Sequence, residues 1–121
     1  MKKHKKTIFC DVDGTIAEFK KGWNGGRMTE PPKPLAKWAL KTLVDAGYEV
    51  VLFCARLTKH DVVSSVEEQR LELESWLKLN GFEKGIHYHR MTNEKEGCLA
   101  YIDDRSIRFQ DNWESIVKLF V

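Results

Sequence analysis

The sequence has little of what marks several large classes of protein. Its 121 residues include only three cysteines, Cys10, Cys54 and Cys98, with no CxxC pair and no secretory leader. We therefore expect a cytoplasmic protein in a reducing compartment, without structural disulfides. No apolar run reaches the roughly 18 residues that a membrane-spanning helix needs, so no membrane partner is expected. The motif GxxxxGK[ST] is also missing, which excludes a P-loop nucleotide enzyme.

Neither sign of charge dominates the chain. It has 20 Lys and Arg residues against 18 Asp and Glu residues, with a net charge of +2 and a pI near 8.4. This is below the basicity typical of nucleic-acid-binding domains. The basic run at 2–6 is interpreted as a solvated tail in preference to a nucleic-acid contact. With 42% hydrophobic residues, the chain is expected to fold as one domain over residues 1–121.

Apolar periodicity predicts alternating strands and helices. The β-type runs that predict strands are at 7–10, 48–54, 86–89 and 99–102, and the helical spacings are at about 35–44, 62–80 and 112–120. Gly47 and Gly81 are expected to end the first two helices, and Asn112 to cap the third. Apolar residues assigned to the helical patterns include Leu35, Trp38, Leu71, Leu73, Trp76, Leu77 and Leu79. This alternation predicts a doubly wound α/β fold with a mainly parallel sheet.

Two predicted strands end in pairs of acidic residues. Asp11 and Asp13 follow the first strand, and Asp103 and Asp104 follow the strand at 99–102. Because ligands of open parallel sheets bind at the carboxyl ends of the strands, these carboxylates are expected in one crevice, where their repulsion calls for a cation. Oxygen ligands of this kind favour Mg²⁺. The pattern therefore predicts a magnesium site with a carboxylate as candidate covalent nucleophile for a phosphate.

These residues also carry a resemblance to a known family. The segment Asp11-Val12-Asp13-Gly14-Thr15 resembles the first motif of the haloacid dehalogenase (HAD) superfamily, and Ile102-Asp103-Asp104-Arg105 resembles its acidic fourth motif. Lys95, eight positions before Asp103, is similar in spacing to the lysine of the third motif. The resemblance spans nearly the whole chain. It implies a Rossmann-like HAD fold and a Mg²⁺-dependent phosphatase.

The resemblance implies a role for each of these residues. Asp11 would attack the phosphoryl group, form an aspartyl-phosphate and bind Mg²⁺. Asp13 would act as general acid and base, with its backbone carbonyl on the metal. Asp103 and Asp104 would complete the metal site, and Lys95 would neutralise the charge of Asp11 and the phosphate.

The second motif of the family falls at Cys54-Ala55-Arg56. The family usually has Ser or Thr at the first of these positions, and a thiol is a weaker hydrogen-bond donor than a hydroxyl. We expect Cys54 and the amide of Ala55 to contact phosphate, with an inert buried cysteine as the alternative. Arg56 suits phosphate oxygens, and polynucleotide 3′-phosphatase domains of the family carry an arginine at the similar position. A surface role for Arg56 is equally open.

The intervals between the motifs leave no room for a true cap domain. A glycine-rich flap at about 14–34 is then the only expected lid. Trp23 in its middle could stack on a base, a sugar or an aromatic substrate, or pack on the domain surface. An open site of this kind admits a nucleic-acid end or a phosphorylated small molecule as substrate. Closure of the site by another subunit is also possible, but no other feature of the sequence supports an oligomer.

Two other kinds of protein share parts of this pattern. A non-catalytic or regulatory phosphate-binding module is favoured by the departure at Cys54 and opposed by the presence of Asp13, because only turnover needs that acid. A response-regulator receiver is rejected because its acidic pair precedes the strand of the phosphorylated aspartate, whereas here the DxD closes the first strand.

Overall fold

The described part of the chain contains five strands and three helices. The computed structural model describes residues 6–20, 27–54, 66–93, 98–103 and 107–121, without the side chains of Val66, Asp103 and Arg108. The strands are β1 (Thr7–Asp11), β2 (Glu49–Phe53), β3 (Arg90–Thr92), β4 (Ala100–Asp103) and β5 (Ile107–Arg108). The helices are α1 (Ala36–Asp45), α2 (Val66–Leu79) and α3 (Trp113–Val117).

All five strands form one parallel sheet in the order β3-β2-β1-β4-β5. The chain first winds from β1 through β2 to β3, and then returns past β1 to β4 and β5 on the other side. The prediction of an α/β fold with a Rossmann-like, doubly wound parallel sheet is therefore confirmed.

The main apolar core lies on one face of the sheet. Alternate residues of a strand point to opposite faces, and Ile8, Cys10, Val50 and Leu52 belong to a single buried cluster to which all three helices contribute. Residues of the opposite parity are also buried but lie outside that cluster, among them Phe9, whose ring meets Tyr101 edge-on with 5.1 Å between centroids. Strands buried on both faces explain the almost continuous apolar runs in the sequence.

The third strand lies four residues later than the sequence predicts. Residues 84–88 form a turn in which the amide of Gly85 donates to the carbonyl of Tyr88 (2.7 Å), and Gly85 has a φ of +90°, a conformation that glycine adopts at little cost. The strand instead comprises Arg90–Thr92. It lies at the edge of the sheet, so only Met91 packs against the core, and this leaves little apolar signal.

Several helix details also differ from the prediction. Trp38 is 45% exposed, Leu71 53% and Leu79 86%. Helical spacing shows which apolar residues share a face of the helix, but it does not show whether another element covers that face. Gly47 and Gly81 follow their helices with positive φ, as predicted. Asn112 occupies the N-cap of α3 without a side-chain capping bond. Its Oδ1 instead accepts a hydrogen bond from the amide of Gln110 (2.6 Å).

Within the described ranges, no helix combines the length and the apolar character that crossing a membrane requires.

The position of the core predicts that Leu40 contributes far more to stability than Leu79. Leu40→Ala removes a fully buried side chain and should lower the free energy of unfolding by about 2–5 kcal/mol. Leu79→Ala, at an 86% exposed position, is the matched control and should change it by less than about 0.5 kcal/mol. Urea denaturation measures both, and equal midpoints for the two variants would contradict the described core.

Candidate active site

The candidate site lies where the winding of the sheet reverses. β1 has β2 on one side and β4 on the other, so the loops that leave their carboxyl ends diverge and open a crevice. Ligands of open α/β sheets bind at such a point. Asp11 is the last residue of β1 and therefore stands at this crevice.

A single tight turn follows Asp11. The amides of residues 15–17 all donate to the carbonyl of Val12, over 3.2, 2.9 and 3.0 Å. Gly14 begins this turn with a φ of +85°, although a side chain there would meet nothing within 4 Å, so backbone conformation rather than space favours glycine. The turn leaves Asp11 and Asp13 lining the same cavity.

The flap begins and ends in a short pair of antiparallel segments, residues 16–18 and 31–33, which we call the flap base. The amide of Glu18 donates to the carbonyl of Pro31 (2.9 Å), and a second backbone hydrogen bond of 2.7 Å closes the pair. The pairing returns the chain to the crevice and brings residues from both ends of the flap beside Asp13.

The returning arm of the flap is also attached to helix α2. The indole N–H of Trp76 donates to the carbonyl of Glu30 (2.9 Å), and Glu72 accepts a hydrogen bond from the amide of Met28 (2.8 Å). The carboxylate of Glu30 accepts a third from the amide of Lys20 (3.0 Å). These contacts fix the described part of the flap against the domain.

The resulting cavity has a volume of about 400 Å³. Its lining residues are Asp11, Asp13, Gly14, Thr15, Glu18, Phe19, Lys20 and Lys33. Three of these side chains are carboxylates and two are lysines, which gives a formal charge of −1. The cavity therefore joins the predicted acidic pair to cations that the sequence patterns did not identify.

Lys33 is the centre of an ionic network beside the acidic pair. Its Nζ lies 3.0 Å from Oε1 of Glu18 and 3.2 Å from Oδ1 of Asp111, and 5.6 Å from the ring centre of Phe109. Lys20 lies 3.6 Å from the other oxygen of Glu18. The network joins the flap base to the segment before α3.

This network shifts the pKa values of two of its members. The hydrogen bond from Lys33, aided by the charges of both lysines, lowers the pKa of Glu18 although burial opposes it. Burial acts to lower the pKa of Lys33, but hydrogen bonds to Glu18 and Asp111 outweigh it, so the net pKa is raised. The single positive charge of Lys33 is thus shared between Glu18 and Asp111.

Of the other predicted acids, Asp103 has a described backbone position. β4 pairs with β1 through Cys10 and Ile102, and Asp103 follows as the last residue of β4, at the same end of the sheet as Asp11. Asp104 lies outside the described residues. The metal-binding role of both residues stays a prediction.

Cys54 points toward the core rather than lining the cavity. It is 1% exposed and belongs to the buried cluster, while its amide donates to the carbonyl of Thr92 (3.0 Å). This burial favours the alternative that Cys54 is an inert cysteine. A contact between Cys54 and phosphate stays a prediction. Cys10 is also buried, and burial together with Asp11 strongly raises its thiol pKa, so it supplies no thiolate.

The remaining predicted site residues are Trp23, Ala55, Arg56 and Lys95, and all four lie outside the described residues. Their predicted contacts are therefore untested.

Sequence patterns missed the polar side chains that the flap base brings to the cavity. Thr15 is only 2% exposed and belongs to the DxDGT segment, which could have indicated it. Glu18 and Lys33 gave no signal of their own, because their ion pair depends on the antiparallel pairing of 16–18 with 31–33.

The described donors are compatible with a magnesium ion without forming a complete site. No group of three or more His, Cys, Asp or Glu side chains suited to a metal occurs among the described residues. Asp11 and Asp13 nevertheless line one cavity with negative formal charge, and carboxylate oxygens are ligands that Mg²⁺ prefers. The position of Asp103 on the adjacent strand allows a third donor.

Comparisons with known proteins give little further guidance. No family model and no curated protein matches the chain. One solved structure is similar, that of a candidate 3-deoxy-D-manno-octulosonate 8-phosphate phosphatase from Vibrio cholerae, at 17% identity and a TM-score of 0.44. The match covers 98% of this chain but 63% of the other, less than two thirds of its length. A likeness at this level carries no argument.

The ion pair in the cavity wall predicts a pH-dependent coupling. In a double-mutant cycle, Glu18→Gln and Lys33→Met should show favourable coupling at pH 7. Because the pKa of Glu18 is lowered in the fold, this coupling is present above its ordinary value of 4.5 and is lost as the pH falls through the folded value. At the alkaline end, it is lost as the pH rises through the raised pKa of Lys33.

Urea denaturation at pH 7 and near pH 3 measures this coupling. The exposed pair Lys41–Asp45, 2.7 Å apart within α1, is the matched control and should contribute only about 0.3–0.5 kcal/mol. A coupling between Glu18 and Lys33 that does not exceed the control at pH 7, or that persists unchanged in acid, would be inconsistent with the described network.

Proposed function

We propose that this chain is a Mg²⁺-dependent phosphatase of the HAD superfamily that acts through an aspartyl-phosphate on Asp11. The observation that carries the proposal is the pair Asp11 and Asp13, which line one cavity of about 400 Å³ at the carboxyl end of the central strand. The order of motifs along the sequence, DVDGT, Lys95 and IDDR, supports the same family. Because the intervals between the motifs are too short for a cap domain, the flap is the proposed lid.

Asp11 is the proposed nucleophile. A bond forms between its carboxylate oxygen and phosphorus as the bond from phosphorus to the leaving oxygen breaks, and Asp13 gives its proton to that oxygen. Water then attacks phosphorus and returns a proton to Asp13, the bond to Asp11 breaks, and inorganic phosphate leaves. Asp13 thus ends the cycle as it began.

Mg²⁺ would be held by Asp11, the backbone carbonyl of Asp13, and Asp103 with Asp104. When bound, it supplies positive charge that offsets the repulsion between an anionic phosphate and a carboxylate nucleophile. The negative formal charge of the described lining, which holds three carboxylates and two lysines, supports binding of such a cation. Lys95 is the proposed second source of positive charge.

The alternative function is a non-catalytic or regulatory phosphate-binding module. The observation that favours it is the burial of Cys54 in the apolar core, because this removes a hydrogen-bond donor that the family usually supplies at the second motif. Retention of Asp13 in the cavity opposes it, since phosphate binding alone does not need a proton donor there.

Hydrolysis of para-nitrophenyl phosphate with and without Mg²⁺ separates the two functions. Asp11→Asn should lower kcat at least ~10³-fold because it removes the nucleophile, and Asp13→Asn about 10²–10⁴-fold because it removes the proton donor. Asp45→Asn changes an exposed aspartate on α1 and should leave kcat unchanged. EDTA should abolish turnover, and Mg²⁺ should restore it.

Circular dichroism of each variant checks that the fold is kept. Equal turnover by folded wild type and Asp11→Asn would refute the enzyme. Absence of turnover in the wild type, together with phosphate binding at residues 11–18, would support the regulatory module.

A substrate panel tests which phosphate esters the open site accepts. Oligonucleotides with 3′- or 5′-phosphate ends are compared with phosphorylated sugars and nucleotides by phosphate release. We expect the preferred substrate to exceed para-nitrophenyl phosphate in kcat/KM by at least about tenfold, because binding energy away from the reacting group is used in the transition state. A flat profile over the whole panel would contradict a specific site.

A further inference from the structure

A second, smaller cavity lies at the outer edge of the sheet. Its volume is about 90 Å³ and its lining residues are Arg70, Glu74, Lys84, Tyr88, Arg90 and Met91. They come from α2, from the turn at 84–88 and from the edge strand β3. None of them lines the cavity of the acidic pair.

Positive charge dominates this cavity. Three of the lining side chains are cations and one, Glu74, is a carboxylate, so the formal charge of the lining is +2. Arg90 is partly balanced by Glu49, with its Nε 3.4 Å from Oε2. In the described part of the chain, Arg70 and Lys84 have neither an ion pair nor a side-chain hydrogen bond.

Tyr88 adds a neutral hydrogen-bond donor to these cations. The residue is only 7% exposed, yet it lines the cavity, and its hydroxyl makes no hydrogen bond with any described residue. Burial, followed by the charge of Glu74, raises its pKa, so the hydroxyl keeps its proton at neutral pH. The hydroxyl is not among the buried unpaired polar atoms, so it is accessible through the cavity and available to a ligand.

The turn at 84–88 determines where the donor and one cation lie. The hydrogen bond from the amide of Gly85 to the carbonyl of Tyr88 closes the turn, and Lys84 and Tyr88 are bridged directly across it. Arg70 and Glu74 are one turn apart on α2, so they face the same side of the helix. Separate elements of the fold thus bring these polar groups to one small space.

We propose that this cavity is a binding site for a single tetrahedral oxyanion, a phosphate group in the first instance. A water molecule occupies about 30 Å³ in the liquid. The cavity, at about 90 Å³, therefore has room for one small oxyanion. Guanidinium groups bind phosphate oxygens through paired hydrogen bonds, Lys84 adds a point charge, and Tyr88 donates through its hydroxyl. Glu74 opposes the anion, but it is outnumbered by the three cations.

Two sources can supply this phosphate chemistry, a free phosphate ion or a backbone phosphate of a nucleic-acid strand. β3 is separated from β1 by one strand, so the two cavities are offset by about 10 Å in the direction of strand pairing. The inference depends only on the residues of the smaller cavity and does not require the proposed phosphatase activity.

Titration of the full chain with inorganic phosphate in EDTA, followed by amide NMR spectra at constant ionic strength, tests the site. We expect saturable shifts at residues 70–74 and 84–91. Tyr88→Phe and Arg70→Gln should each raise the Kd about tenfold, the scale of a hydrogen bond to a charged group. Lys118→Gln changes an exposed lysine at the end of α3 that lines neither cavity; it is the matched control and should leave the Kd unchanged.

Shifts confined to residues 11–18, or an unchanged Kd in both folded variants, would overturn the proposal. An unphosphorylated single-stranded oligonucleotide then identifies the source. If it displaces phosphate and the displacement weakens in Arg70→Gln, the ligand is a backbone phosphate; if it does not, the ligand is the free ion. Turnover of para-nitrophenyl phosphate should be the same in Tyr88→Phe and wild type. The test of the oxyanion site is therefore independent of the test of the proposed phosphatase activity.

Discussion

The arrangement of the candidate site depends on one constraint, the parallel pairing of β1 on both of its edges. Hydrogen bonds to β2 and β4 make β1 the central strand, and its position at the reversal of the winding puts the end of the strand at a crevice. The backbone of Asp11 is thus held at the crevice by a strand of the central sheet. The tight turn from Val12 to Ala17 then needs only a few residues to return Asp13 to the same cavity.

A second layer of organisation joins distant parts of the chain around that crevice. Lys33 connects Glu18 in the flap base with Asp111 before α3, while Trp76 and Glu72 of α2 hold the returning arm of the flap. The flap base is therefore attached to two helical segments as well as to β1. Such a base is suited to keep the walls of the cavity in place while chemistry or binding takes place inside it.

The sequence predicted the parts of the fold whose signals are local. Thr7–Cys10 is recognisable because a central strand is apolar on both faces, and Gly47 and Gly81 because a left-handed residue is needed where a helix ends. The strand at Arg90–Thr92 was not predicted because only Met91 of this edge strand packs against the core. One apolar residue is too weak a signal for a strand. Leu79 matches the helical spacing but is exposed, since no described element covers it. The spacing alone does not show whether a neighbouring element is present.

The same distinction applies to the candidate site. Asp11 and Asp13 were predictable because two acids directly after a buried strand have few structural explanations. The partners of Lys33 were not, because they are separated from it by 15 residues on one side and by most of the remaining chain on the other. The cations of the smaller cavity were missed for the same reason, since α2, the turn and β3 meet only in the folded chain.

The strand order also has a consequence for how the protein folds. β1 can pair with β2 through α1, which is a nearby element, but its other edge stays open until Ala100–Asp103 arrive from late in the chain. Pairings over such a separation form slowly because the intervening loop must close first. The half-sheet of β1, β2 and β3 would then precede the complete one, and the backbone of Asp103 would reach Asp11 only at the last step. Repulsion between the carboxylates of Asp103 and Asp11 would then arise only after β1 has paired with β2.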